Sequence, residues 1–347
     1  MKFIKPKKLS KGDAIAIVSP SWGGPGRFPH VFDLGLENLK KYFSIKIKEF
    51  PFTRATPESV YKNPKKRATD MNRAFADRKV KAIVTSIGGN DGIRVLPFLD
   101  TRIIKSNPKI FMGFSDSAIF TTFINQLGIV TFNGPSIMAG FSQMHNFPKS
   151  FRDHIVSMLF EKTPHYQYGP FPWFSDGYVE WSDKKNLGKL EAKKKNSDGW
   201  HWLQGRGVTR GKLFGGCIEV IDWLRGTRYW PSNSFLMNTI LFFETSEEKP
   251  PVSLIKYFLR SYGVMGLYDR VSGIIFGRAR DYSRIEKDEL DKMIVSIVAG
   301  EFGNKTMPII TNFDFGHTDP QVIMPLGVKA EINCSNKTFR LLESPVA

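Results

Sequence analysis

Short apolar runs that alternate with helical stripes constrain this chain more than any other feature of it. Ala14-Ile15-Ala16-Ile17-Val18 follows Gly12-Asp13 and stops at Ser19-Pro20-Ser21-Trp22-Gly23-Gly24. A run that is apolar at every position suits a strand covered on both faces. Val31, Phe32, Leu34, Leu36, Leu39 and Phe43 then form a helical stripe, and Ile45 and Ile47 alternate with lysines as a strand nearer an edge would. Another helical section lies within Pro57 to Asp77, with Ala68, Met71, Ala74 and Phe75 on one face. Ala82 to Ile87 is a strand broken by Gly88-Gly89-Asn90-Asp91-Gly92, after which Ile93 to Leu99 restarts a helix. Lys109-Ile110-Phe111-Met112-Gly113-Phe114-Ser115-Asp116-Ser117 is the next strand and its turn. Ala118 to Leu127 reads as a helix, and Val130-Thr131-Phe132 as a strand. Strands alternating with helices predict an α/β fold, a mostly parallel sheet flanked by helices. Function in such sheets gathers at the carboxyl ends of the strands. The Ser19–Gly24, Gly88–Gly92 and Ser115 turns all fall there.

The character changes near Phe147. From there to about Gly205 the chain is rich in Pro, Trp, Tyr and Lys, without a clean period, and reads as a linker or large functional loop. Its aromatics either glue the loop down or stack on a ligand. Structure resumes near Gly211, where Gly215-Gly216-Cys217 leads into a helical stretch, Ile218 to Leu224. Ile240-Leu241-Phe242-Phe243-Glu244 is a buried strand ending on an acid; Val252 to Tyr262 is helical, Val271 to Phe276 a strand, and Ile285 to Ala299 a helix. Pro308-Ile309-Ile310 runs as a strand into Phe315-Gly316-His317-Thr318-Asp319-Pro320, and Gln321 to Leu342 is strand-like. The division expected is 1–150 as an N-terminal sheet domain carrying a nucleophile, 151–205 as linker and substrate loop, and 206–347 as a smaller mixed α/β C-terminal domain.

Composition narrows the function classes. With 347 residues the chain can bury a sizeable core, and a net charge of +17 favours anionic substrates through its long-range field. The lysine runs Lys5–Lys8, Lys62–Arg67 and Lys184–Lys195 lack a helix-turn-helix, zinc-finger or RNP-like context, so solvated faces explain them and no nucleic-acid partner is expected. Two cysteines, Cys217 and Cys334, make neither a metal pair nor a disulfide framework. The apolar stretch Ala14 to Val18 is too short for a signal segment, and no run approaches a membrane span, so a reducing cytoplasmic setting is expected.

A serine pushed out of a sheet at a strand-to-helix turn is where acyl-transfer chemistry places its nucleophile, beside the free N–H groups of the helix. Ser115 stands at such a turn; its alternative role is a helix N-cap. A serine nucleophile needs a base, and of six histidines His317 has the most suggestive place, in a Gly-His turn after a strand. Glu244 ends an otherwise apolar strand, and its alternative is to cap the next element or pair with an arginine. Glu247 and Glu248, off the apolar run, read as solvent-facing. The amide of Asp116 and the Gly88-Gly89 turn are the candidate oxyanion donors, since glycine lets backbone approach a reacting carbonyl. The same pair could serve a phosphate, but the chain has no G-x-x-x-x-G-K-[ST] and no G-x-G-x-x-G after its first strand. Without H-E-x-x-H or grouped Cys and His, neither metal nor cofactor is implied.

Assembled in order, these blocks resemble the LD-carboxypeptidase family of serine peptidases, which includes the microcin C immunity peptidases. Gly12-Asp13 with Ser19-Pro20 looks like the family's opening, and Ser86-Ile87-Gly88-Gly89-Asn90-Asp91 its oxyanion turn. Gly113-Phe114-Ser115-Asp116-Ser117 resembles the nucleophile block, with Thr131-Phe132-Asn133-Gly134-Pro135 as the strand that follows. Leu241 to Glu247 resembles the acid block and Phe315 to Pro320 the histidine block. The resemblance implies Ser115 as nucleophile, His317 as base, Glu244 as its orienting acid, and Gly89 and Asp116 as oxyanion donors. Gly88, Asn90 and Trp181 would contact substrate, with Trp181 stacking on a nucleobase and Trp200 as a second aromatic of interest. It also implies a metal-independent homodimer that cleaves amide bonds in small peptides or aminoacyl nucleotides. Murein tetrapeptide LD-cleavage is the alternative, and a catalytically silent peptide- or nucleotide-binding protein a second one. One departure stands out: Gly215-Gly216-Cys217-Ile218 lies where the family usually has Gly-Gly-Asn-Leu.

Overall fold

The computed structural model describes residues 2–347. Five strands open the chain: β1 (Ala14–Val18), β2 (Lys46–Glu49), β3 (Val80–Thr85), β4 (Ile110–Gly113) and β5 (Thr131–Asn133). Two short strands, β6 (Trp173–Phe174) and β7 (Lys194–Lys195), pair only with each other. The second half supplies β8 (His201–Gln204), β9 (Val208–Cys217), β10 (Thr239–Glu244), β11 (Gly273–Gly277) and β12 (Ile309–Phe313). It closes with β13 (Met324–Leu326), β14 (Lys329–Asn333) and β15 (Thr338–Leu341).

The first sheet has the order β13-β5-β4-β3-β1-β2 and is parallel except at β13. As the run of apolar residues demanded, β1 and β3 are buried along nearly their whole length, whereas the edge strand β2 is mostly exposed. The second sheet, β15-β14-β9-β10-β11-β12-β8, has a parallel centre of four strands and antiparallel flanks, so it carries more strands than the first. Strand β13 comes from the C-terminal half yet pairs antiparallel with β5, Met324 opposite Asn133 and Leu326 opposite Thr131. The larger apolar cluster draws on both halves, from Ile15 and Met112 to Phe242 and Ile310.

Three elements differ from expectation. The weakly patterned stretch after Phe147 contains a helix, Lys149–Leu159, which buries Phe151, His154, Ile155, Met158 and Leu159. Residues Gly92–Phe98 form a 3-10 helix with Pro97 inside it, since proline has no N–H for an α-helical bond. The glycine-bearing stretch before Cys217 is the ten-residue strand β9. Among the described residues no helix is long and apolar enough to cross a membrane.

Candidate active site

The turns after β1, β3 and β4 meet the ends of β10 and β12 in one cleft, lined by residues that include Trp22, Gly88, Gly89, Asn90, Ser115 and His317. Ser115 follows β4 with φ of +60°. An N-cap residue normally has extended backbone, and a non-glycine side chain at positive φ costs roughly 1–3 kcal/mol, so the turn is not an ordinary cap. Its place at a cleft is where such strain recurs. Phe114, with extended backbone, precedes the short 3-10 turn Ser115–Ser117, and the helix Ala118–Gln126 follows directly.

The Gly88 backbone lies against this turn. A Cβ there would sit 2.7 Å from Ser115 Cβ and 2.9 Å from its Oγ, which leaves room for glycine alone. The fully buried Asp116 carboxylate accepts the Gly92 N–H at 2.8 Å, tying the serine turn to the far side of the glycine turn. Burial pushes the Asp116 carboxyl above its ordinary pKa. Arg67 adds a second tie: buried, it donates to Asp91 Oδ2 and to the Pro20 carbonyl, each at 2.7 Å. Among the described residues the backbone N–H groups of Gly89 and Asp116 donate no hydrogen bond.

On the opposite wall, Glu244 is the last residue of β10 and is fully buried. Its Oε2 lies 2.7 Å from His317 Nδ1, which places the proton on Nδ1 and leaves Nε2 as the acceptor nitrogen. Gly316 permits this approach: it has φ of +101°, and a Cβ on it would come within 2.6 Å of Glu244 Oε2. Phe114 packs edge-on against the imidazole, with ring centroids 5.0 Å apart. Burial raises the Glu244 pKa, with His317 pulling it down. Burial opposes a charged imidazole at His317, but the Glu244 carboxylate outweighs it, so the His317 pKa is raised. The pair therefore holds one proton more tightly than an exposed histidine would. Among the described residues Ser115 Oγ makes no hydrogen bond; it and His317 line the same cleft. Apo sites are often loose in this way.

Cys217 ends β9 directly opposite Glu244 in register. Burial raises its thiol well above the ordinary range, so it stays protonated, and Sγ donates to Glu219 Oε2 at 3.4 Å. Glu244 Oε1 has no hydrogen-bond partner among the described residues.

Trp181 reaches the cleft and Trp200 does not. Trp181 stacks on Tyr178 with centroids 4.1 Å apart, and its carbonyl accepts from His30 Nε2 at 3.0 Å. Trp200, noted only as a second aromatic of interest, is stacked on Phe313 at 3.9 Å and donates its indole N–H to Asp314 at 2.8 Å, a packing role. The cleft also recruits Tyr178, Arg280, Asp319 and Gln321, to which sequence reasoning gave no role. Asp319 and Gln321 follow His317 closely enough that the histidine block was the signal. Nothing in the chain marked Tyr178 or Arg280. Glu247 and Glu248, expected to face only solvent, border the cleft, where Glu247 accepts from Tyr178 at 2.8 Å and from Arg280 at 3.1 Å. A chain of net charge +17 thus lines its cleft with three carboxyls as well as Arg280 and His317. Among the described residues no three His, Cys, Asp or Glu side chains are grouped to hold a metal.

The chain resembles known proteins along nearly its whole length. A family model described as the LD-carboxypeptidase N-terminal domain matches residues 15–134, and one described as its C-terminal domain matches residues 210–332. The microcin C7 self-immunity protein MccF of Escherichia coli is 27% identical, over 96% of this chain and 94% of that protein. The crystal structure of an MccF-like protein from Streptococcus pneumoniae in complex with AMP superposes with a TM-score of 0.82 at 27% identity, covering 95% of this chain and 98% of that one. An MccF-like protein from Bacillus anthracis gives a TM-score of 0.84 at 26% identity over 98% and 99% of the two chains.

Proposed function

The chain belongs to the LD-carboxypeptidase family and is a serine carboxypeptidase-like hydrolase, and from that premise we propose that Ser115, His317 and Glu244 are its nucleophile, general base and orienting acid. Ser115 Oγ attacks an amide carbonyl while His317 Nε2 takes its proton. The oxyanion meets the N–H groups of Gly89 and Asp116, and the His317 proton passes to the leaving amine as the C–N bond breaks. Water then attacks the acyl-enzyme by the same route and releases the acid. Glu244 holds Nδ1–H and stabilises the imidazolium formed in each half. The observation that carries this reading is the buried 2.7 Å Glu244–His317 bond in the same cleft as a serine at positive φ. A fluorophosphonate probe should label the wild type and leave Ser115→Ala unlabelled; equal labelling of the two would sink the mechanism.

We propose an aminoacyl or peptidyl nucleotide as substrate, with Trp181 against the nucleobase and Gly88 and Asn90 beside the scissile group. Trp22, Tyr178 and Trp181 give the cleft an aromatic wall, and AMP occupies the S. pneumoniae relative. The second reading is LD-cleavage of a murein tetrapeptide, supported by the family's description as LD-carboxypeptidases and by a Bacillus subtilis relative named a probable murein peptide carboxypeptidase. Release of D-alanine from the tetrapeptide, set against hydrolysis of an aminoacyl sulfamoyl adenosine, separates the two. In this reading the protein works in the cytoplasm as a homodimer, with residues 1–150 and 206–347 as its two domains and 151–205 as the substrate loop. Light scattering on the eluted peak checks the dimer.

A further inference from the structure

We propose that Arg67 is a positioning residue for the oxyanion hole, holding the turns after β1 and β3 at the spacing that sets the Gly89 and Asp116 N–H groups. Arg67 lies on the helix Pro64–Ala76 and does not line the cleft. Its side chain is fully buried, which is rare for arginine and costly unless the charge is paired. One guanidinium serves three acceptors. Nη1 donates to the Pro20 carbonyl at 2.7 Å and to the Ser21 carbonyl at 3.2 Å, and Nη2 donates to Asp91 Oδ2 at 2.7 Å. The two carbonyls belong to the turn after β1 and the carboxylate to the turn after β3.

Each arm of the fork ends one step from an oxyanion donor. On the first side, Gly89 packs on the β1 turn: a Cβ on it would meet Trp22 Cβ at 3.0 Å and the Ser21 carbonyl carbon at 3.2 Å. Fixing the Ser21 carbonyl therefore fixes the surface on which the Gly89 peptide rests. On the second side, Asp91 precedes Gly92, whose N–H donates to the Asp116 carboxylate at 2.8 Å. The amide of that same Asp116 is the other donor. A planar fork spans two carbonyls and a carboxylate at once, whereas the lysine ammonium is a point charge. Arg94 also pairs with Asp91, at 3.2 Å, but from the protein surface, and its other bond goes to the Tyr61 carbonyl. An oxyanion hole works because its donors stand in place before the charge forms. Displacing one slows the chemical step and leaves ground-state binding alone.

This role for Arg67 rests on the serine-hydrolase reading of Ser115 and is tested apart from the choice of substrate. Arg67→Lys keeps the buried charge and loses the fork. Its kcat should fall about 10²-fold, the scale of one misplaced oxyanion donor, with KM within about twofold of wild type. The loss should be equal for alanyl sulfamoyl adenosine and a murein tetrapeptide, because the hole serves any scissile carbonyl; if one alone is hydrolysed, that one decides. The rate of fluorophosphonate labelling should fall in step, since the adduct places a phosphoryl oxygen in the hole, and it decides if neither is hydrolysed. Should urea unfolding show that Arg67→Lys does not fold, Asp91→Asn decides: it should lower kcat and the labelling rate about tenfold, the size of one lost charge-assisted bond, at unchanged KM. A clamp that serves only the fold would lower the urea midpoint and leave kcat and the labelling rate per folded molecule at the wild-type values. That result overturns the role of Arg67 and leaves the serine reading intact. A wild type that does not label, or labelling that survives Ser115→Ala, overturns both.

Discussion

Two buried acid–base pairs sit at neighbouring strand ends of the second sheet and behave differently. Arg278 follows β11 and Asp314 follows β12; they meet at 2.9 Å with both side chains fully buried. Their remaining groups are taken up inside the protein: Trp200 donates to Asp314, Arg278 donates to Asn312 at 3.0 Å, and the guanidinium lies 4.2 Å from the Phe174 ring centroid. Glu244 and His317 are buried as deeply, but there the imidazole borders the cleft and only Nδ1 is engaged. A pair enclosed by the protein on all sides fixes a loop, whereas one that leaves a nitrogen at a cleft is available for proton transfer. Burial and charge alone do not distinguish them. The edge left open does.

This contrast is broken most sharply by Glu244→Gln. It should cut kcat by about 10⁴-fold, as expected when an orienting carboxylate becomes an amide, with labelling and turnover as readouts. The same variant has a pH signature. The base must be neutral to act, and a raised His317 pKa places the acid limb of kcat/KM above the ordinary histidine value. Without the carboxylate, burial still lowers the pKa, so the limb should move to lower pH. A limb that stays put would mean that another group titrates there.

Arg278→Met should do the reverse. It strands the Asp314 carboxylate and should cost roughly 3–5 kcal/mol in urea unfolding, with kcat per folded molecule little changed. Smaller effects come from the two tryptophans. Trp181→Ala should weaken kcat/KM about tenfold for alanyl sulfamoyl adenosine, the scale of one base stack, and far less for alanine p-nitroanilide, which has no nucleoside. Trp200→Phe should lower stability by about 1–3 kcal/mol through the lost bond to Asp314, with no change in KM. An effect of Trp200→Phe on KM would place the two residues in one class again.

The first sheet was legible because β1, β3 and β4 are largely apolar, the edge strand β2 alternates isoleucine with lysine, and the turns are marked by glycine or serine. The Ser115 turn could be located from Gly113 and the apolar run, but its positive φ could not, since that depends on Gly88 packing against it from another strand. The helix Lys149–Leu159 escaped notice although Phe151, Ile155 and Met158 keep a helical spacing. Its exposed face mixes Lys, Ser, Arg and Asp behind Pro148, and the aromatic-rich chain beyond it carries no period. Trp181 and Trp200 look alike in sequence because aromatic content signals burial and not orientation. Net charge is silent on the site for a similar reason: lysines spread over the surface say nothing of Glu247, Glu248 and Asp319 at one opening.

Strand β13 has a consequence for how the protein can be divided. The segment after His317 returns to the first sheet and covers the outer edge of β5. A fragment ending before residue 206 would present Thr131–Asn133, buried in the whole protein, as a bare edge, a template for pairing with another chain. The C-terminal half made alone would carry an orphan strand in search of a sheet. The two halves are thus poor candidates for separate expression and good ones for fragment complementation, in which activity returns only when β13 finds β5.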